Sequence, residues 1–161
     1  MQQISVSDFK QQITPEQLRS GSLFGALSEE GIQFLLNNGK LHYASAATKV
    51  FNYGDRGDSF FIVCKGCLSF IKQHDGELYH TRDINFGEES GFVAMIALHD
   101  HAGYAVAKED SLLLEVPSAV FSELHEKYPF DFGVITLNLA RDMARTIRKL
   151  SNALVENAIK Y

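Results

Sequence analysis

The first 39 residues carry polar and apolar positions at helical spacing. In Thr14-Pro15-Glu16-Gln17 the threonine can cap a helix, the proline suits its first turn, and the glutamine can close a capping box. A second short helix is predicted to begin at Ser28, with apolar side chains on one face at positions 32, 35 and 36. Asn38-Gly39 should end it, because both residues tolerate the left-handed conformation of a helix C-cap. We therefore expect N-terminal helices over residues 1–39.

Between residues 40 and 117 the pattern changes to short apolar segments separated by turn signals. The clearest segments are 50–53, 60–64 and 68–71, bounded by glycine and aspartate. The run from 60 to 63 is apolar at every position, so both faces of this strand should be covered. The expected fold class is mainly β with flanking helices, built on a jelly-roll (double-stranded β-helix) barrel.

After Pro117 the apolar spacing becomes helical. Ser118 can cap a short helix that should end before Pro129. Beyond it an apolar stripe indicates a helix of about 30 residues, against the roughly 11–12 of an average helix. Part of the stripe should lie on the barrel and the remainder should meet a second copy of the chain, although packing wholly on its own barrel is an alternative. The stripe consists of Phe132, Ile135, Leu139, Met143, Ile147, Leu150, Leu154 and Ala158.

Composition narrows the class of protein. The 161 residues suit one domain, with helices over 1–39, a barrel over 40–117 and helices over 118–161. The formal net charge is −5, whereas a domain that holds nucleic acid through its phosphates is normally basic. Two cysteines are too few for a disulfide framework, and no leader-like or bilayer-length apolar segment is seen. The expected compartment is the cytoplasm, and a membrane is not an expected partner.

The segment from Gly54 to Gly66, G-D-R-G-D-S-F-F-I-V-C-K-G, contains a G-D-x-G-D turn, an apolar strand and a hairpin glycine. It resembles the cyclic-nucleotide-binding domain family, and in particular the sensor domain of Crp/Fnr-type regulators. In this setting Gly54, Gly57 and Gly66 should take positive φ in tight turns. The resemblance spans roughly residues 20–158 and continues in Leu23–Ser28, Phe86–Glu88, Glu109–Pro117 and the long helix.

The resemblance implies a phosphate-binding cassette, which in the family has a Gly-Glu pair opening a short helix and then an Arg-Ser-Ala segment. Phe86-Gly87-Glu88 matches the opening. Helix N-terminal amides would then meet a cyclic phosphate, and Glu88 would accept a hydrogen bond from the ribose hydroxyl. The expected ligand is cyclic AMP or cyclic GMP, or another small molecule.

The second half of the cassette departs from the family pattern. His101, Ala102 and Gly103 fall at the Arg-Ser-Ala positions, so both the arginine and the hydroxyl are missing. A histidine lacks the permanent charge and two-pronged donor geometry of arginine. On the long helix, Ser151 and Asn152 are the polar candidates for a contact with the base.

Two other groups of residues have the types that bind metals. Cys64-Lys65-Gly66-Cys67 is a C-x-x-C without a second ligand pair, and two thiols lining the barrel are the favoured interpretation. His99 and His101 have the spacing of a cupin metal site, but a suitably placed carboxylate is missing. No metal site is therefore expected.

Two further hypotheses rest on residue types alone. Haem could take axial ligands from His42, His74, His80 or Cys64, although the sequence has no attachment motif. The basic residues Arg141, Arg145, Arg148 and Lys149 form either a solvated helix face or a patch for an acidic partner.

These observations predict a regulatory sensor rather than an enzyme, because no catalytic pattern of residues is seen. Ligand in the cassette would reposition the C-terminal helix of a homodimer formed through residues 130–158, and a protein partner would receive the signal. The alternative is an interaction or dimerisation module that keeps only the fold and binds no ligand. Since little chain follows Leu150, we expect no helix-turn-helix in this sequence and no direct contact with DNA.

Overall fold

Two antiparallel sheets form the centre of the computed structural model, which describes residues 1–156. The strands are β1 (Gln2–Gln3), β2 (Lys40–Ala44), β3 (Lys49–Phe51), β4 (Ser59–Lys65), β5 (Leu68–His74), β6 (Glu77–Ile84), β7 (Glu89–Ser90), β8 (Tyr104–Ala107) and β9 (Ser111–Pro117). The helices are α1 (Val6–Lys10), α2 (Pro15–Arg19), α3 (Glu29–Asn38), α4 (Phe92–Ile96), α5 (Ser118–Lys127) and α6 (Pro129–Glu156). The architecture is a β-roll with flanking helices, which confirms the predicted fold class.

The strand order follows the double-stranded pattern of a jelly roll. One sheet has the order β1-β2-β9-β4-β7 and the other has the order β3-β8-β5-β6. Strand β4 pairs with β9 from Ser59 opposite Pro117 to Lys65 opposite Leu112, across a register shift near the end of β4. The N-terminal segment is not wholly helical as expected, because β1 adds to the edge of the first sheet by pairing with β2.

Strand β4 separates two hydrophobic clusters. Phe60, Ile62 and Cys64 face the cluster shared with the helices, while Phe61 and Val63 face the cluster between the sheets. This alternation agrees with the two-faced covering expected from the continuous apolar run, since successive strand side chains point to opposite faces. Burial on both faces holds β4 inside its sheet, between β9 and β7.

The capping residues predicted for the helix ends are confirmed in part. Thr14 and Gln17 form the predicted capping box, and the Ser28 hydroxyl caps α3 by accepting from the Gly31 amide at 3.0 Å. Gly39 ends α3 with φ −72°, not in the left-handed region, and is required because a Cβ there would lie 2.6 Å from Leu114 Cδ1. Ser118 is the first residue of α5 rather than its cap, which is Pro117.

Glycine is needed for different reasons in the turn at 54–58 and in the hairpin after β4. Gly54 and Gly66 take φ +80° and +85° as expected. Gly57 is not among the positive-φ residues, so that expectation was wrong for it. A Cβ on Gly57 would lie 2.3 Å from the His99 carbonyl oxygen, so glycine allows the turn to approach the loop after α4.

Hydrogen bonds anchor the first half of α6 to the N-terminal segment. Both carboxylate oxygens of Asp131 accept hydrogen bonds from Ser28, from its amide and its hydroxyl, each at 2.7 Å. The Asn138 amide donates to the Leu23 and Gly25 carbonyls at 3.2 and 2.9 Å. Ile135 is fully buried between these anchors. The expected position of Ala158 in the stripe lies outside the described residues.

No helix within residues 1–156 is long and apolar enough to cross a bilayer.

Candidate functional site

A cavity of about 440 Å³ lies between the four-stranded sheet, the segment around α4 and the second half of α6. Pockets that hold small organic ligands have volumes of roughly 300–1,000 Å³. Phe51 and Phe70 line the cavity from the sheet, and Thr146 and Leu150 line it from α6. A molecule in the cavity would therefore contact the sheet and the long helix together.

The short helix beside the cavity begins later than expected. Its N-cap is Gly91, at φ +102°, and Phe92 is its first residue. The prediction that Gly87 and Glu88 open this helix was therefore wrong. The Gly87 amide donates to the Val63 carbonyl at 2.8 Å and the Glu88 amide to the Asn85 carbonyl at 2.9 Å, which holds the pair in the turn between β6 and β7.

The residue that follows the helix-opening glycine is apolar. Phe92 is 1% exposed and packs edge-on against Phe60, with ring centroids 5.3 Å apart. A carboxyl group is supplied instead by Glu89, whose Oε2 accepts from the Phe92 amide at 2.8 Å. Glu89 lines the cavity and is itself buried. The site thus has a carboxyl group beside the start of α4, but not where the resemblance implies.

Phe86, Gly87 and Glu88 do not line the cavity. Phe86 packs against the helical core cluster, and Gly87 lies against Gly21, where a Cβ on Gly87 would be 2.5 Å from the Gly21 Cα. Ser151 is exposed and also lies outside the lining, because α6 turns Thr146 and Leu150 toward the cavity. Ligand binding by these four predicted site residues has no support from their positions.

His101 and Ala102 do line the cavity. The His101 ring stacks on Phe51, and its backbone amide donates to the Asp55 carbonyl at 2.8 Å. Burial lowers the pKa of His101, an effect that the neighbouring carboxylates Asp55 and Asp58 partly oppose. Burial therefore disfavours the charged imidazole at the position where the resemblance implies an arginine. The role of His101 and Ala102 in binding stays a prediction.

The charged side chains of the cavity come from residues outside the predicted site. Lys72 of β5, Arg82 of β6 and Glu89 of β7 all line it. The Arg82 guanidinium donates to the Glu89 carbonyl oxygen at 3.2 Å. The register Phe70 opposite Arg82 places these two side chains on one face of the sheet. The pairing of Phe70 with Arg82 would have indicated that Arg82 faces the cavity, but only if the register of the β5–β6 hairpin had been known.

A second buried carboxylate connects the cavity wall to α6. Burial raises the pKa of Glu89 to about 7, the Arg82 charge acts against this, and the Asp142 carboxylate adds to it. Asp142 is 2% exposed, and its Oδ1 accepts from the Arg145 guanidinium at 3.2 Å. Its Oδ2 has no hydrogen-bond partner among the described residues. The wall and the helix are thus electrostatically coupled where they meet.

The other groups of residues do not converge on the cavity. Cys64 is buried in the core, and the Cys67 thiol contacts the Asn85 side chain. His99 lines the cavity beside His101, but residues 1–156 contain no cluster of three or more His, Cys, Asp or Glu suited to a metal ion. The residues considered for haem lie outside the cavity lining: His42, His74, His80 and Cys64.

The β-roll with a ligand-sized cavity beneath a long helix defines a class of small-molecule-binding regulatory domain. A family model described as a cyclic nucleotide-binding domain matches residues 41–128. The chain therefore belongs to the cyclic nucleotide-binding domain family. No curated protein sequence matches it.

Solved structures show the same fold at low sequence identity. A cyclic nucleotide-binding domain from Methylobacillus flagellatus KT superposes with a TM-score of 0.83 at 16% identity, covering 99% of this chain and 90% of that one. The Thermus thermophilus catabolite activator protein gives 0.70 at 24%, covering 83% and 62%. The regulatory domain of Toxoplasma gondii PKA, crystallised with cAMP, gives 0.59 at 24%, covering 67% and 41%.

Proposed function

We propose that this chain is a regulatory sensor in which a small molecule binds in the cavity and repositions the second half of α6 for a partner protein. The observation that carries the proposal is that Thr146 and Leu150 of α6 line the cavity directly. A ligand that contacts them differently in two positions of the helix shifts the population between those positions. The activity proposed is regulatory binding, with no chemical step.

The helix is suited to this role because its two halves are held differently. Asp131 and Asn138 anchor the first half by hydrogen bonds, and Leu139 is fully buried. Beyond Met143 the apolar side chains of α6 are exposed to solvent, and Ile147 is 66% exposed. An anchored base with a sparsely packed end is the arrangement in which a local contact changes the direction of a helix.

The exposed end of α6 supports a dimer. Met143, Ile147, Leu150 and Leu154 are spaced four, three and four residues apart, which is the heptad spacing of a coiled-coil seam. Leu154 is 73% exposed in the single chain. A second copy of the same helix would cover this row, and Leu150 would then belong to both the seam and the cavity. We therefore propose a homodimer through the described part of residues 130–158.

Cyclic AMP and cyclic GMP are the first ligands to test, because the chain belongs to this family. Isothermal titration of the full chain with each nucleotide should be paired with hydrogen–deuterium exchange over residues 140–156. Binding with a change in α6 exchange supports the sensor. Ala102→Trp, which fills the cavity from its wall, should abolish the heat, while the exposed substitution Ala46→Trp serves as the control.

The departures at the cassette favour one competing function. With a buried His101 and an apolar Phe92, a module that keeps only the fold and the dimer seam would bind no nucleotide. It would show no heat at millimolar ligand, an unchanged melting temperature and no small molecule in native mass spectrometry. Those three results together would overturn the sensor proposal.

A further inference from the structure

We propose that Arg82 and Lys72 form an anion-binding subsite on the β5–β6 wall, so that the ligand is an organic acid whose apolar body lies against Phe70. The proposal rests on the proposed function, since it assigns the ligand class of the same cavity. The acidic group can be a carboxylate, a sulfonate or a phosphate ester, because a guanidinium binds all three through charge-assisted hydrogen bonds.

Arg82 is a cation that forms no salt bridge with another residue of the described chain. Its guanidinium is half-buried and makes one hydrogen bond, to the Glu89 carbonyl oxygen at 3.2 Å. None of the ion pairs in residues 1–156 includes it. A partly desolvated guanidinium normally has a carboxylate or phosphate beside it, since removing it from water is costly. The remaining donors of Arg82 are available to a molecule in the cavity.

The Glu89 carboxyl group does not form an ion pair with Arg82. Its Oε2 is engaged with the Phe92 amide at 2.8 Å, and burial keeps its pKa near 7, so it is partly protonated at neutral pH. The Asp142 carboxylate, the other buried acid near this wall, pairs with Arg145 on α6. The positive charge of Arg82 is therefore only partly compensated by the protein.

Lys72 adds a second positive charge at the exposed edge of the same wall. It is two residues from Phe70 on β5, so both side chains lie on one face of the strand, and both line the cavity. Its ammonium has no salt-bridge partner among residues 1–156. An anion bound by Arg82 would thus have Lys72 on its solvent side.

Much of the remaining cavity lining is apolar. His101 is buried and its ring stacks on Phe51, and burial disfavours its charged form. The body of the ligand therefore belongs against Phe51, Phe70, Val93 and Leu150. An acid with an aromatic or similar flat apolar body satisfies both the cations and this apolar surface, and the apolar portion would also contact α6.

The test uses 8-anilinonaphthalene-1-sulfonate, a fluorescent aromatic sulfonate, titrated into the full-length chain. Arg82→Gln should weaken binding at least about tenfold and Lys72→Gln by a smaller factor, since a hydrogen bond to a charged group carries that range of free energy. The charge-matched control Arg19→Gln, on exposed α2, should have no effect. Ala102→Trp and Val93→Trp, which fill the cavity from two walls, should each abolish binding.

Competition experiments identify the class of acid. 1-Naphthoate and cAMP test a carboxylate and a phosphodiester as competitors, and 1-naphthalenemethanol and adenosine are their uncharged controls. We expect an acid to displace the dye at least about tenfold better than its uncharged control, with the advantage lost in Arg82→Gln. Loss of binding in both tryptophan variants without any effect of Arg82→Gln would overturn the subsite but leave the cavity as a ligand site. Binding that survives both tryptophan variants, or no binding of any probe at millimolar concentration, would overturn the subsite and the proposed function together.

Discussion

The His101 imidazole stacks face to face on the Phe51 ring, with centroids 3.8 Å apart and planes 11° from parallel. His101 is 5% exposed, so this contact is part of the cavity wall rather than a surface pairing. The residue that the resemblance predicts in place of the cassette arginine is thus part of the packing of the cavity wall.

Removing the His101 ring should destabilise the fold. His101→Ala loses the stacked pair and leaves a gap against Gly91, so we expect the free energy of unfolding to fall by about 1–3 kcal/mol. Urea denaturation followed by circular dichroism measures the change. The control is His74→Ala at an exposed hairpin position, which should change stability by less than about 0.5 kcal/mol. Equal stability of the two variants would show that the stack contributes nothing.

Gly87 should be required for packing rather than for ligand. It has φ +78°, and a Cβ there would meet Gly21 Cα at 2.5 Å. Gly76 has nearly the same backbone, φ +82°, with nothing within 4 Å of a Cβ. Gly87→Ala should therefore melt at a clearly lower temperature than Gly76→Ala. The positive φ destabilises both variants by about 1 kcal/mol, but only Gly87→Ala also introduces the clash.

The comparison also tests the position of the cassette. If Gly87→Ala melted like Gly76→Ala and instead lost only nucleotide binding, the segment at 86–88 would belong to the binding site after all.

Glu89 should make stability depend on pH. Its pKa is raised to about 7 from 4.5, so between these values the native state holds a proton that the unfolded state has released. Stability therefore falls as pH rises through this window, by about 3 kcal/mol at most, and the loss is complete above pH 7. Glu89→Gln cannot ionise and can still accept from the Phe92 amide. Its stability relative to the wild type should rise from pH 5 to about pH 7 and then level off toward pH 8.

Denaturation curves at pH 5, 6, 7 and 8 measure this difference. Glu126→Gln removes a carboxylate from an exposed position of α5, away from Glu89, and is the control. Parallel stability profiles for the wild type and Glu89→Gln would mean that the buried carboxyl group titrates normally.

The exposed seam of α6 should control the oligomeric state. Ile147→Lys and Leu154→Lys place a charge where the proposed partner helix packs, so light scattering should report a monomer where the wild type is a dimer. Leu137→Lys is the control, because Leu137 is 50% exposed on the same helix but lies outside the seam. A wild-type monomer at concentrations well above micromolar would contradict the proposed dimer.

Much of the fold could be predicted because its signals are local. The capping box at Thr14 and Gln17, the all-apolar run of β4 and the spacing of the α6 stripe each reflect nearby residues and one backbone geometry. The family resemblance rested on the same kind of signal, a turn of glycines and aspartates before a buried strand. Such patterns survive in the sequence because neighbouring residues satisfy them.

The candidate site was harder to predict because it depends on register. Two glycines with positive φ, Gly87 and Gly91, lie close together, and only the hydrogen bonds to Val63 and Asn85 decide that the first belongs to a turn. Arg82 is far from the cassette in sequence, and the pairing with Phe70 brings it to the cavity. A shift of one residue in that hairpin would turn Arg82 to the other face of the sheet.

By itself the sequence determined the class of fold and the long helix, because these follow from local spacing and residue type, and it predicted a histidine in place of the cassette arginine at position 101. The tertiary structure alone decided where α4 begins, that Phe92 points into the core, and that Lys72, Arg82 and Glu89 provide the charges of the cavity. The physical reason is that strand pairing and packing bring together residues that are distant along the chain.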